Sequence, residues 1–223
     1  HGLFKLKNRP QWYTVAQRSR TYVAKVLSGI SGEYYKNYNV NKLIRRSNGI
    51  DLYYGDKSEF FSYDKVVLAS HADQALSIID EPTKEEQEIL SKFKYRENIA
   101  VIHTDESIMP NNKDIWSSWN SSVDKNNVEN NSITYWLNLL QNLDFNKNIF
   151  LTLNPNFKIN EDKILKKVNF THPYFDQSAL DNQDKLKNLQ NKKNLLFCGS
   201  YFGYGFHEDG IKSSIEMIKA IDD

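Results

Sequence analysis

The chain has 223 residues, 39% hydrophobic and 13% aromatic, enough to bury a core in one large or two small domains and too apolar for a disordered chain. A formal net charge of +1 excludes the strong field that gathers nucleic acid or anionic lipid. A single cysteine, Cys198, excludes an intrachain disulfide and a CxxC metal site and fits a reducing, cytoplasmic setting, and no apolar run approaches the roughly 20 residues of a membrane span.

The opening "HGLFKLKNRPQWYTV" has no methionine and reads as part of a longer polypeptide, of which this is the C-terminal portion. Next, Tyr22, Val23, Val26, Leu27 and Ile30 recur at helical spacing, closed by Gly29 and Gly32. "EYYKNYNVNKLIRR" and "GIDLYYGDKSEFFSY" are short extended runs, and the turn pairs Asn48-Gly49 and Gly55-Asp56 predict a β-meander. "DKVVLAS" is a buried-strand pattern. "HADQALSII" returns to helical periodicity through Ala72, Ala75, Leu76 and Ile79, and Thr83 with Glu86 forms a capping box for another helix.

From Lys92 the pattern turns to strands: "NIAVIHTD", "IWSSWNS", "SITYWLNLL", "IFLTLNP" and "KVNFTHPYF". "QSALDNQDKLKNLQ" predicts one returning helix. "NLLFCGS" is a second buried-strand pattern, and a last helix carries Ile211, Ile215, Ile218 and Ile221 on one face. The layout is α/β, then a β-rich insert, then a closing strand and helix.

The stretch "LLFCGSYFGYGFHEDGIKSS" joins that strand to that helix. A strand, a glycine-rich turn and a helix N-terminus make a site for an anion or a cofactor, because the first helical amides are unpaired and the dipole favours negative charge there. Gly199, Gly203, Gly205 and Gly210 remove the Cβ atoms that would hold a ligand off the backbone. Turns of this kind also form for conformational reasons alone.

The same stretch resembles the C-terminal FAD motif of the flavin-containing amine oxidase superfamily. "VVLASHADQAL", "IAVIHTDESIMP", "SSWN", "TYWLNLLQ" and "FTHPYFD" resemble, in order and over essentially the whole chain, a bacterial branch of NAD/FAD-binding oxidoreductases. The resemblance implies an α/β (α+β) fold: a partial FAD-binding Rossmann-like domain, residues 1–91 and 190–223, with a β-rich substrate-binding domain inserted at 92–189. It implies FAD as cofactor and hydride transfer between a small-molecule carbon substrate, acyl or lipid-like or an amine, and flavin N5. A non-catalytic ligand-binding or interaction domain is the competing expectation for the chain by itself. The N-terminal half, with the GxGxxG turn that holds the pyrophosphate, is missing from the sequence, whose one GxG is Gly203-Tyr204-Gly205.

Residue by residue, the resemblance places Val40 at the adenine, Ala69, Ser70 and His71 beside the dinucleotide, and Gly199, Ser200 and Tyr201 near the ribityl phosphate. It places Gly205, Phe206, Glu208, Asp209 and Gly210 at the flavin edge, where the helix dipole faces N1 and O2. Gln17-Arg18-Ser19 stands where the family has Gly-Gly-Ser. His207 and His172 are the candidates for proton handling, each with a structural reading beside it. Trp119, Tyr135 and Trp136, with Trp116, line a substrate channel or fill a β-rich core. His103 reads as a satisfied core histidine, Cys198 as a small buried hydrophobe, and His207-Glu208-Asp209 as no metal site.

Overall fold

The computed structural model describes residues 7, 11, 13–55, 59–124 and 127–221; the opening motif up to Trp12 lies almost wholly outside the described residues, as does Asp56 of the second turn. The first helix, α1 (Ser19–Ser28), forms where the periodicity predicts it, but none of its residues is buried.

The meander follows as β1 (Val40–Arg46), β2 (Gly49–Tyr54) and β3 (Phe60–Tyr63), an antiparallel sheet in that order. Gly49 is fixed by close approach: a Cβ there would stand 2.6 Å from the Tyr63 carbonyl oxygen. Asp51, buried inside the sheet, accepts from Arg46 Nε and Ser62 Oγ, both at 2.7 Å. β4 (Val66–Leu68) leads into α2 (Ala72–Ile78) and α3 (Lys84–Leu90). The capping box of α3 forms: the Glu86 amide donates to Thr83 Oγ1 at 3.2 Å and the Thr83 amide to Glu86 Oε2 at 2.8 Å. Glu86 also pairs with Arg45, so the cap ties α3 to β1.

All five strand-like runs beyond Lys92 contribute to one antiparallel sheet, though "IWSSWNS" joins it only from Trp119 and "SITYWLNLL" turns helical at Leu137. Its strands are β5 (Lys94–His103), β6 (Trp119–Asp124), β7 (Asn127–Trp136), β8 (Phe150–Leu153) and β9 (Ile164–Tyr174), ordered β6-β7-β8-β5-β9, with the short α4 (Leu137–Leu140) after β7. Met109, Trp116 and Phe150 make a small core on this sheet. The predicted returning helix divides. α5 (Gln177–Gln183), capped by Asp176, stops, and a 3-10 turn over Leu186–Leu189 drives both leucines into the core, a placement that three-residue spacing suits.

β10 (Leu195–Phe197) pairs in parallel with β4, Leu195 opposite Val66 and Phe197 opposite Leu68, and α6 (His207–Lys219) follows. The main core lies on one side of this pair, where Leu68, Leu195 and Phe197 meet Ala72, Leu90 and Leu189. α6 covers the other side through Met217 against Leu196 and Cys198. Ile211, Ile215 and Ile218 share a face of α6 as expected, but that face is exposed, and the fourth isoleucine, Ile221, lies beyond the helix and packs against the Leu196, Cys198 and Met217 cluster; the helix buries Asp209, Ser213 and Met217 instead. The reason is polar: Asp209 and Ser213 bind the preceding loop and turn their side of the helix inward. Among the described residues no helix is long and apolar enough to cross a membrane.

Candidate functional site

Parallel pairing puts the carboxyl ends of β4 and β10 on one edge, the place where parallel sheets open their ligand crevices. Ala69 and Ser70 leave β4 there, beside Cys198 and Gly199 leaving β10, and the Cys198 amide donates to the Leu68 carbonyl at 3.2 Å. The Ser70 carbonyl oxygen lies 3.5 Å from the point a Gly199 Cβ would occupy. His71 takes the N-cap position of α2.

The loop between β10 and α6 is held by side chains of α6 itself. Ser213 Oγ accepts from the Gly199 amide at 2.9 Å. Asp209 Oδ2 accepts from the amides of Tyr204 at 3.0 Å and Phe206 at 2.9 Å. Two of the four glycines are demanded by this packing: a Cβ at Gly199 would meet the Tyr201 ring at 2.8 Å, and one at Gly203 would meet the Asp209 carboxyl at 2.6 Å. Gly205, at φ 87°, needs a glycine's freedom and rests against Pro173 and Phe175, so the loop abuts the end of β9.

Gly210 differs. Its added Cβ would find only the Ser200 amide nitrogen, at 3.8 Å, so nothing in the protein requires glycine there, although glycine weakens a helix. Around it, the amides of Ser200, His207 and Glu208 have no acceptor among the described residues. A bare stretch of main chain, three amides without an acceptor among the described residues and a helix N-terminus fit a flat, electron-rich group at this edge.

The neighbours of this edge come from β5 and β9. The His71 ring stacks on Tyr95, centroids 4.1 Å apart and 11° between planes, and its Nδ1 lies 3.4 Å from Thr171 Oγ1. Tyr95 Oη accepts from the Ala72 amide at 2.9 Å. Burial pushes the Tyr95 hydroxyl up to about 12, so it stays protonated. Burial raises Tyr201 further, and its hydroxyl has no partner among the described residues: Tyr201 is a core residue packed on Phe93 and Phe202, and only its main chain borders the edge.

The predicted residues divide accordingly. Ala69, Ser70, His71, Gly199, Ser200, Gly205, Phe206, Glu208 and Gly210 gather at the edge, with the exposed His207 opening α6. Asp209 is there too, facing inward to the loop. Val40 opens β1, opposite Tyr54. His172 stands opposite Arg96 on the face of β9 that alternates away from Thr171 and Pro173, the residues that reach His71 and Gly205; its ring meets Phe170 edge-on at 5.9 Å. Tyr135 and Trp136 belong to β7, three strand spacings and about 14 Å from β9, and Trp119 to β6, four spacings and about 19 Å away. Trp136 joins the core of that sheet, edge-on to Trp116 at 5.4 Å, with Nε1 donating to Asn148. Sequence reasoning missed Tyr95 and Thr171; strand alternation from Pro173 was the signal that carried them.

No protein-family model and no curated protein matches the sequence. Solved structures do match. A CLA-producing fatty acid isomerase from P. acnes is similar with a TM-score of 0.62 at 13% identity, over 90% of this chain and 51% of its own. Putrescine oxidase bound to putrescine is similar at 0.59 and 9% identity, over 92% and 52%. Cyclohexylamine oxidase from Brevibacterium oxydans IH-35A is similar at 0.51 and 10% identity, over 83% and 49%. The chain spans about half the length of these structures. At such identities the likeness speaks for architecture alone: the chain shares the α+β fold of these structures.

Proposed function

We propose that the chain is the flavin-facing part of a FAD-dependent oxidoreductase, with residues 1–91 and 190–223 in the cofactor domain and 92–189 in the substrate domain. One observation carries this: the carboxyl ends of β4 and β10 open together onto the unpaired amides around Gly210. Bound there, a flavin supplies a hydride acceptor or donor at N5.

The chain's own residues position and polarise. The amides of His207 and Glu208, at the positive end of α6, hold negative charge against the helix. Asp209 keeps the loop from collapsing onto that end. Tyr95, a neutral donor, and His71 stacked on it form the wall toward the substrate sheet. His207, exposed at the first turn of α6, is the better placed of the two candidate histidines to move a proton; His172 faces the other way.

The substrate is a carbon chain, acyl or lipid-like, the class of the fatty acid isomerase. An amine is the second reading, favoured by the two amine oxidases of the same fold. The setting proposed is the cytoplasm. The test is FAD titration of the chain joined to a polypeptide bearing the GxGxxG turn, in wild type and Gly210→Val. Yellow, flavin-loaded wild type and a colourless, folded variant are expected; a variant that keeps its flavin would remove the ring from this edge. Anaerobic bleaching by acyl against amine panels separates the substrate classes.

A further inference from the structure

Three sequence motifs that the flavin edge leaves unused, "IAVIHTDESIMP", "SSWN" and "TYWLNLLQ", converge on one place in the five-stranded sheet. A cavity of about 300 Å³ opens there, lined by the apolar Ile108, Met109, Pro110 and Phe157 and by Asn120 and Thr134. Thr134 stands on β7, opposite Asn120 of β6 and Thr152 of β8.

A chain of hydrogen bonds ends at this cavity, and its far end fixes its direction. His103 Nδ1 accepts from the Asp105 amide at 3.2 Å, so that nitrogen is bare and the ring's one proton sits on Nε2. Nε2 therefore donates to Thr152 Oγ1, 2.8 Å away. Thr152 is fully buried, and its hydroxyl has one further partner among the described residues, Thr134 Oγ1 at 2.9 Å. Were Thr134 the donor of that bond, the Thr152 proton would be stranded in the core. Thr152 thus donates to Thr134. The Thr134 proton is left over: the residue is 4% exposed, and its hydroxyl has no acceptor among the described residues.

The other polar groups of the cavity are already engaged or reach solvent. Asn120 Nδ2 donates to the carbonyls of Ser117 at 2.6 Å and Thr134 at 3.3 Å, while its Oδ1 accepts from the Ser117 amide at 3.0 Å. Ser121 is exposed and Ser122 half-buried, so water serves both hydroxyls. No charged side chain lines the cavity among the described residues, and a carboxylate or an ammonium would enter it unpaired. An apolar body with one acceptor oxygen suits both the walls and Thr134.

We propose that this cavity binds a small uncharged carbonyl compound, a ketone, aldehyde or ester, whose oxygen accepts from Thr134 Oγ1. His103 touches no ligand; through Thr152 it aims the Thr134 proton into the cavity. The site is separate from the flavin seat, since β7 lies three strand spacings from β9, and binding there needs no flavin.

The experiment titrates the 223-residue chain with acetophenone, and with benzoate as its charged match, by calorimetry. Acetophenone should bind, and benzoate at least about tenfold more weakly. Thr134→Val, which keeps the shape without the hydroxyl, should weaken acetophenone about tenfold, and Thr134→Ser should restore it. Ile108→Trp fills the cavity without touching the hydrogen-bond chain and should abolish binding, which keeps the test open if Thr134→Val does not fold; circular dichroism checks each variant. Nitrogen NMR of His103 should show a protonated Nε2 and a bare Nδ1. No acetophenone binding, equal affinity for benzoate, or an affinity unchanged in Ile108→Trp would overturn the proposal. So would the opposite tautomer of His103, which turns the chain around and withdraws the proton from the cavity.

Discussion

Asp209 Oδ2 lies 2.9 Å from the amide nitrogen of Phe206, three residues earlier, and the same oxygen takes the Tyr204 amide at 3.0 Å. One carboxylate therefore both caps α6 and shapes the glycine loop before it. Charge-assisted bonds of this kind contribute about 1.5–3 kcal/mol each, with partial overlap when they share an oxygen. Asp209→Ala is expected to cost about 2–4 kcal/mol in urea denaturation and to raise hydrogen exchange at Tyr204 and Phe206. Asp209→Asn, which keeps one acceptor, should recover about half.

Gly210 separates stability from binding. A methyl there meets the Ser200 nitrogen at 3.8 Å, an ordinary contact, so Gly210→Ala should stabilise the free protein by about 0.5–1 kcal/mol through helix propensity. The same substitution should weaken FAD in a titration of the flavin-loaded protein. A gain in both would mean that the main chain there faces solvent only.

His103 gives a pH dependence with a definite sign. It is fully buried; Nε2 lies 2.8 Å from Thr152 Oγ1, Thr152 is bonded on to Thr134, and Nδ1 accepts from the Asp105 amide. Burial holds the imidazole below its ordinary value, with the Asp105 charge opposing. The unfolded chain takes a proton near pH 6.5 that the folded chain refuses, so this stability is present above about pH 6.5 and is lost as the pH falls from there. Asp105 acts lower. Burial raises its carboxyl, but the Asn160 amide, Ser107 and Lys163 lower it further, so its contribution is lost only below about pH 4. Urea midpoints between pH 8 and 5 should fall for wild type and stay level for His103→Gln, which starts lower.

Much of the fold was legible because local signals and packing agreed. Thr83 and Glu86 cap α3 as their spacing requires, and the β4 and β10 patterns form a parallel pair. What sequence could not tell was direction. The isoleucines of α6 mark a face without saying which side the core takes, and Asp209 and Ser213, two small polar residues, decided it through the loop. His172 and Thr171 are adjacent, yet one step along a strand reverses the side chain, so the register of β9 against β5 settled which of them reaches His71. Trp136 read by type as a channel or a core residue alike, and only the fold shows it partly buried against the Met109, Trp116 and Phe150 cluster.

The ion pair of Glu86 with Arg45 is nearly buried, and Arg45 Nε has no partner among the described residues. Glu86→Ala strands that cation and opens the α3 cap, with an expected cost of about 3–5 kcal/mol. Thr83→Ala, which loses the cap alone, should cost about 1 kcal/mol. Denaturation of the two variants orders them; equal losses would mean that the pair adds nothing to the cap.

Hydrogen exchange of the chain joined to a polypeptide bearing the GxGxxG turn, with and without FAD, tests the proposed flavin seat most directly. Slowed exchange confined to the amides of Ser200, His207 and Glu208 and to the Ala69–His71 turn is the expected result. Flavin bound with those amides unchanged, and protection appearing elsewhere, would contradict it.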